Sequence, residues 1–410
     1  MPKNRIITGL DIGTSEIKVL AAVKNQKDQT LEVLGQVRFP SFGVRRGMVV
    51  KPEEVSKRVF EALSQLQQEI GQKIEDVYTN ISGSHIFTAS SHGSIVVSRA
   101  DQRISEEDKS RVIQTAQTFS LPSNKEILNI FPREFIVDDQ GQIKDPLNMQ
   151  GLRLEVKILA LCAFSPFIKN LTAAVLEAGF QISDITPSVL ASARAVLTPQ
   201  QKELGVCILD IGAGTTDMAV YEEGDLIHLS VFPIGSELIT HDIAIGLRTD
   251  PETAEQVKRE FGACVFKGRG GNKKEKIVQI QHEGNGEPLI FTRKMLARII
   301  EARVSEILRL ALQELKKSSP KGILPSGIVL TGGGAMLPKI IELAKKEMKL
   351  PVRLGLPEKT LGLNGDPTFS TAAGLILEGA DLEENGQGIM PVLRSGFLGK
   401  IKKVFKFFTP

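Results

Sequence analysis

Residues 208–221 read ILDIGAGTTDMAVY, and residues 9–23 read GLDIGTSEIKVLAAV. Each is an apolar run, then Asp-Ile-Gly, then small or hydroxyl residues, then a second apolar run. The pattern predicts a β-hairpin closed by a tight turn. A turn of Gly, Thr and Ser leaves several backbone N–H groups on its concave side, and such a nest binds phosphate oxygens without a side-chain cation. Glycine accepts φ > 0 and lets a ligand approach the backbone. The aspartate before each glycine stands at a strand end, where it can hold a metal ion, usually through water, between itself and the phosphates.

Two such turns from two homologous halves can face each other and clamp one triphosphate. The first jaw offers Asp11, Gly13, Thr14, Ser15 and Lys18. The second offers Asp210, Gly212, Gly214, Thr215, Thr216 and Asp217. Asp11 and Asp210 are the candidates to hold magnesium. One such turn alone is equally an ordinary hairpin; two in paired context argue for the clamp. A third element is LTGGGAML, residues 330–337, after an apolar strand and before a helix. Gly332, Gly333 and Gly334, with Met336 beside them, would let the backbone lie against a flat adenine and ribose.

The bulk of the chain fits a soluble protein of more than one domain. It has 410 residues, 41% hydrophobic and 24% charged, too long for one simple core. A net charge of +3 gives no reason to expect nucleic acid. Three scattered cysteines without CxxC spacing argue against a disulfide framework or a zinc site. No signal peptide and no membrane-spanning run are expected.

Periodicity places helices at 51–70, 106–119, 167–178, 189–196, 236–247, 251–261, 291–317, 338–349 and 369–378. In the first of these Val55, Val59, Leu63 and Leu66 share one face, and Pro52, Glu53 and Glu54 suit its first turn. Strands are expected at 32–35, 95–97, 154–163 and 327–330 besides the two hairpins. Residues 267–276 read as a basic Gly-rich loop, and 381–391 as an acidic, Gly-rich linker.

The order of phosphate hairpin, phosphate hairpin and adenosine glycines resembles the actin/Hsp70/sugar-kinase superfamily. Further segments narrow the resemblance to FtsA, the family of bacterial cell-division actin homologues. VYTNISGSHI (77–86) is similar to that family's approach to its inserted subdomain, and PREFIVDDQGQIKDPLNMQGLRLEV (132–156) resembles a signature within it. ELGVCILDIGAGTTDMAVY (203–221) is similar to the second phosphate motif, and PETAEQVKREFG (251–262) to the ribose-contact helix. The resemblance implies an α/β, actin-like (ribonuclease H-like) fold: two α/β domains around a nucleotide cleft, with an inserted α/β subdomain. The expected division is 1–84 with 165–198 and 368–380, an insert at 85–164, then 199–240 with 304–367. A capping and partner-binding subdomain at 241–303, a linker at 381–395 and a terminal helix at 396–410 complete it.

The resemblance also implies ATP and Mg2+ as cofactors, with Glu255 and Lys258 reaching the ribose. Three apart on one helix, these two are otherwise read as a surface ion pair. The first jaw departs from many relatives in carrying Ser15 where they have a second glycine. Pro187 stands where polymerising relatives place a polar residue that orients the attacking water, so binding is favoured over rapid hydrolysis. Glu301 and Arg303 are read as bordering the nucleotide or a partner surface.

GFLGKIKKVFKFF (396–408) reads as an amphipathic helix. Phe397, Leu398, Ile401, Val404, Phe405 and Phe408 fall within an arc of about 120°. Lys400, Lys402, Lys403 and Lys406 take the other side. The stretch is too short to span a bilayer but suits lying in an anionic interface. The implied protein polymerises on the inner face of the cytoplasmic membrane at the division site. There it tethers FtsZ filaments through their C-terminal peptide and recruits other divisome proteins. Two other readings stay open: a scaffold of a type IV pilus machine, or a slow ATPase of the sugar-kinase or Hsp70 kind.

Overall fold

The computed structural model describes residues 5–25, 30–266, 277–280, 288–319, 324–357, 360–363 and 365–384. The basic loop read at 267–276 and the helix read at 396–408 lie outside the described residues.

The two hairpins nucleate two sheets of the same design. In the first, strands Leu31–Pro40, Glu16–Lys24 and Ile6–Ile12 run antiparallel, and Ile6–Ile12 is followed in parallel by Asp76–Ile81 and Gln181–Pro187. In the second, Asp225–Phe232, Thr216–Glu222 and Val206–Ile211 run antiparallel, followed in parallel by Ile328–Thr331 and Val352–Leu354. Each half is thus an antiparallel meander continued by parallel strands, as a duplication requires. A short strand, Thr360–Leu361, adds to the outer edge of the first sheet.

The continuous apolar run at 206–209 follows from burial on both faces. Side chains alternate across a strand. Cys207, Leu209 and Ile211 enter the core of the second half, while Val206 and Ile208 join the core shared with the first half. Helices Ser188–Val196 and Ser370–Glu384 belong to that shared core and cross where Gly374 meets Ala191. A Cβ at Gly374 would lie 1.7 Å from the Ala191 carbonyl oxygen, so only glycine permits this crossing.

Between the parallel strands of the first half the chain builds a separate antiparallel sheet in the order Phe87–Val96, Arg153–Phe164, Lys125–Val137, Gln140–Ile143. Helix Glu106–Ala116 covers it, approaching strand Phe87–Val96 at Gly93, where a Cβ would lie 2.6 Å from Ala116 N. The helix starts at a capping box: Ser105 caps Asp108 N, and the Asp108 carboxylate accepts from Ser105 N.

Most helices fall where periodicity puts them, with shifted ends. Phe291 belongs to a strand, Leu289–Thr292, paired with Ile277–Ile280; the long helix Arg293–Ser318 begins after the Thr292 cap. The last helix runs to Glu384, four residues into the stretch read as a linker. Its acidic end is held by cations remote in sequence: Arg194 pairs with Asp381, Arg5 with Glu383 and Lys24 with Glu384. Composition alone reports the charges of this turn, not their partners.

Candidate functional site

Both turns close in the same way. Gly13 N donates to Glu16 O at 3.0 Å, and Gly212 N donates to Thr215 O at 2.9 Å. The turns face each other across a cleft of about 730 Å³. They touch at its floor, where a Cβ on Gly214 would stand 2.6 Å from Thr14 Oγ1. The glycine segment after strand Ile328–Thr331 forms part of the wall of the second turn. Gly332 has φ +83°, and a Cβ there would lie 2.3 Å from Asp210 Oδ1, so the residue is glycine for both conformation and space.

Sixteen of the seventeen residues proposed from sequence line this one cleft, from Asp11 in the first half to Met336 in the second. Thr216 does not. It is fully buried, and its hydroxyl donates to Ile234 O at 2.9 Å, behind the turn. The strand alternation that turns Asp217 into the cleft turns Thr216 away. Glu301 and Arg303 also lie elsewhere: Glu301 pairs with Lys346, and Arg303 forks onto Asp242 at 2.6 and 2.9 Å.

The duplicated hairpins differ in charge at one equivalent pair. Across the first, Asp11 faces Lys18, with Lys18 Nζ 3.7 Å from Asp11 Oδ2. Across the second, Asp210 faces Asp217, a like-charge pair that opposes the fold. Removal from water, then the Asp217 charge, pushes the Asp210 carboxyl up to about 7. Removal from water pushes Asp217 up to about 6 against the hydrogen bond from Ser82. It also raises Asp11, with Lys18 opposing. Asp217 Oδ1 is buried and, among the described residues, has no hydrogen-bond partner. Three carboxylates in a poorly solvated cleft, one with an unpaired oxygen, fit a hydrated divalent cation. Among the described residues no three acidic, His or Cys side chains gather closely enough to hold a metal ion directly.

At the other end, helix Pro251–Phe261 supplies Glu255 and Lys258. The two form an i,i+3 ion pair, 2.5 Å between Lys258 Nζ and Glu255 Oε2, that lines the cleft with Lys258 buried. Lys258 also donates to Thr240 Oγ1 at 2.7 Å and Ser236 O at 3.2 Å, and Arg259 braces Glu255 Oε1 at 2.8 Å. Burial lowers the Lys258 pKa. Burial works against ionised Glu255, but the bonds from Lys258 and Thr240 prevail and lower its pKa.

Several cleft residues escaped the motif reading. Asn80 braces the first jaw: its Nδ2 donates to Asp11 Oδ1 at 2.8 Å, and its Oδ1 accepts from Ile12 N at 2.7 Å. Ser82 Oγ donates to Asp217 Oδ2 at 2.7 Å. Ser188 and Thr371 also line the cleft. The duplication held a signal for two of them. Asn80 occupies the strand end beside Asp11, as Thr331 does beside Asp210, and each is followed by a glycine-bearing turn, Ser82-Gly83 and Gly332-Gly333.

A family model described as "Cell division protein FtsA" matches residues 207–374, and one described as "SHS2 domain inserted in FTSA" matches residues 83–162. The cell division protein FtsA of Pseudomonas aeruginosa is 35% identical over 388 residues, covering 94% of this chain and 92% of that protein. That of Bacillus subtilis is 36% identical over 376 residues, covering 92% and 84%. Among solved structures, the PilM-PilN type IV pilus biogenesis complex aligns with a TM-score of 0.66 at 17% identity, over 91% of this chain and 98% of that one. MreB5 of Spiroplasma citri bound to ADP aligns at 0.57 and 17%, over 94% and 99%. At such identities the structural likeness speaks for the fold, which is actin-like. Identity above a third with the two bacterial proteins, sustained over more than nine-tenths of this chain, settles the matter of kinship: the chain belongs to the FtsA family of cell-division proteins.

Proposed function

We propose that the chain is an ATP-binding, actin-like cell-division protein that polymerises on the inner face of the cytoplasmic membrane. In this reading it tethers FtsZ filaments there and recruits further divisome proteins. The observation that carries the nucleotide part is the convergence of two duplicated turns on one cleft, which the Glu255–Lys258 ion pair also lines. Backbone N–H groups of both turns hold the phosphates, Glu255 and Lys258 hold the ribose, and the segment at Gly332–Gly334 lies against the base. Asp11, Asp210 and Asp217 would hold the cation through water, and it would supply charge neutralisation to the phosphates. Turnover is read as slow: Pro187 offers no polar side chain to orient a water, and the neighbouring Ser188 Oγ, which lines the cleft, is engaged by Asn80 Nδ2 and Ile81 O. ATP acts as a conformational ligand: bridging both jaws favours the closed, polymerising state.

The membrane part rests on residues 396–408, outside the described residues. No described helix is long and apolar enough to cross a membrane. One amphipathic segment binds weakly and reversibly, and many copies along a filament bind strongly. Two measurements test the reading. Titration with a fluorescent ATP analogue and Mg2+ shows saturable binding. Deleting 396–410 abolishes pelleting with anionic vesicles while leaving that affinity intact. Absence of nucleotide binding, or equal pelleting of the truncated chain, overturns the corresponding half. Retention of the chain on an immobilised FtsZ C-terminal peptide tests the partner.

A further inference from the structure

The insert is rooted in the first half by two chain crossings, one after strand Asp76–Ile81 and one between strand Arg153–Phe164 and helix Ser165–Glu177. The first crossing reads Ser82-Gly83-Ser84-His85-Ile86. Its first residue belongs to the cleft. Ser82 is 6% exposed, donates to Asp217 Oδ2 at 2.7 Å and lies 3.4 Å from Thr215 Oγ1. Both partners stand on the second half, so this hydroxyl spans the two jaws.

The backbone behind Ser82 has little slack. Gly83 has φ +121°, and a Cβ there would lie 2.5 Å from Met48 Cγ and 2.7 Å from His85 Nδ1. His85 packs against Phe167, in the first turn of the helix after the second crossing, with ring centroids 4.5 Å apart and planes tilted by 40°. On the other side, a Cβ on Gly47 would lie 2.9 Å from Ser82 Oγ, and Gly47 N donates to Thr14 Oγ1 of the first jaw at 3.0 Å. One close-packed chain of contacts therefore runs from the cleft through Ser82 to both roots of the insert. Close-packed groups transmit displacement rather than absorb it.

We propose that Ser82 is a positioning residue for a cation-bearing polyphosphate in the cleft, acting through Asp217, and that it carries the state of the cleft to the root of the insert. The proposal rests on the nucleotide reading above. Ser82 donates to Asp217 Oδ2, and Oδ1 has no hydrogen-bond partner among the described residues. A hydrated cation drawing on Asp217 would change what Ser82 donates to, and Ser82, packed against Gly47 and Gly83, would follow by shifting the chain that begins the insert. The coupling is reciprocal: a partner that fixes the root of the insert alters the cleft's affinity for its ligand.

The test uses the full chain, its Ser82→Ala and Ser82→Thr variants, and a non-hydrolysable ATP analogue with Mg2+ or with EDTA. Affinity is measured by calorimetry and amide exchange by mass spectrometry. In the unmodified chain, ligand with Mg2+ slows exchange at 83–87 as well as at the turn 212–216. In Ser82→Ala, affinity with Mg2+ falls roughly ten-fold, affinity in EDTA is unchanged, and the ligand-dependent slowing at 83–87 disappears while that at 212–216 persists. Ser82→Thr keeps the hydroxyl and restores both. Equal losses with Mg2+ and EDTA, or slowing at 83–87 in Ser82→Ala as in the unmodified chain, overturn the proposal and leave the nucleotide reading standing. Failure of the unmodified chain to bind the analogue overturns both.

Discussion

Thr14 and Gly214 stand in contact across the floor of the cleft, so close that a Cβ on Gly214 would fall 2.6 Å from Thr14 Oγ1 and 2.9 Å from its Cγ2. The residues are exactly two hundred apart in sequence, one in each duplicated turn. Their approach brings both sets of turn N–H groups within reach of a single ligand. Gly214 is required by space.

Gly214→Ala therefore drives the jaws apart. Overpacking of this kind costs about 1–3 kcal/mol, and the loss falls on the closed arrangement. Affinity for Mg2+-ATP drops roughly ten-fold or more, while far-UV circular dichroism is unchanged. Fluorescent-nucleotide titration reads the effect; unaltered affinity would mean that the turns bind without approaching each other.

Asp210 and Asp217 make stability depend on pH in a defined direction. Both carboxyls have raised pKa values in the folded chain, about 7 and about 6. The folded state keeps their protons longer than the unfolded chain does. Their share of stability is thus full below the ordinary carboxylate range near 4 and is lost as pH rises through 6–7. Asp210→Asn removes the like-charge pair. Without ligand the variant is more stable than the parent at pH 7.5, by about 1–4 kcal/mol, and the advantage vanishes near pH 4.5. Mg2+ raises the melting temperature of the parent but not of the variant. Urea melts at both pH values check it, and an equal effect at both refutes the repulsion.

If Glu255 and Lys258 hold the ribose as proposed, they distinguish it from its deoxygenated analogues. Glu255→Ala weakens ATP binding roughly ten-fold, the loss of one charge-assisted bond, but leaves the affinity for 2′,3′-dideoxy-ATP unchanged. Competition binding with the two nucleotides reads the difference. Parallel losses would place the pair's role in packing alone.

Within the insert, Asp108 accepts from Ser98 N and Oγ and from Ser105 N and Oγ. Burial opposes its ionisation, but these bonds prevail and hold the carboxyl down to about 2. A depressed carboxyl contributes stability above about 4 that is lost as pH falls toward 2. Asp108→Asn costs about 1–2 kcal/mol at neutral pH and less at pH 3. Proteolysis of the insert under native conditions follows it, and equal susceptibility at neutral pH would contradict the capping argument.

The cleft was legible because its main parts are local. A turn that binds phosphate needs glycine and hydroxyl residues in consecutive positions, and consecutive positions are what a sequence displays. The ion pair at 255 and 258 was legible as a helical spacing. Asn80 and Ser82 were not: each acts on an aspartate at least 69 positions away, and nothing in its own neighbourhood names the partner. Thr216 shows the converse. Its composition matched the motif, but strand alternation turned it to Ile234. The acidic turn ending at Glu384 read as solvated linker because Arg5, Lys24 and Arg194, which hold it in a helix, are scattered through the first half of the chain.

The amino-acid sequence by itself determined the two hairpins, the amphipathic helices and the turn chemistry, since these follow from period, propensity and the conformational freedom of glycine within short windows. The tertiary structure alone decided how the cleft carboxylates are braced, which hydroxyl bridges the jaws and how the insert is rooted beside them. Those depend on through-space distance between segments far apart in the chain, where burial and Coulomb interactions act without regard to sequence order.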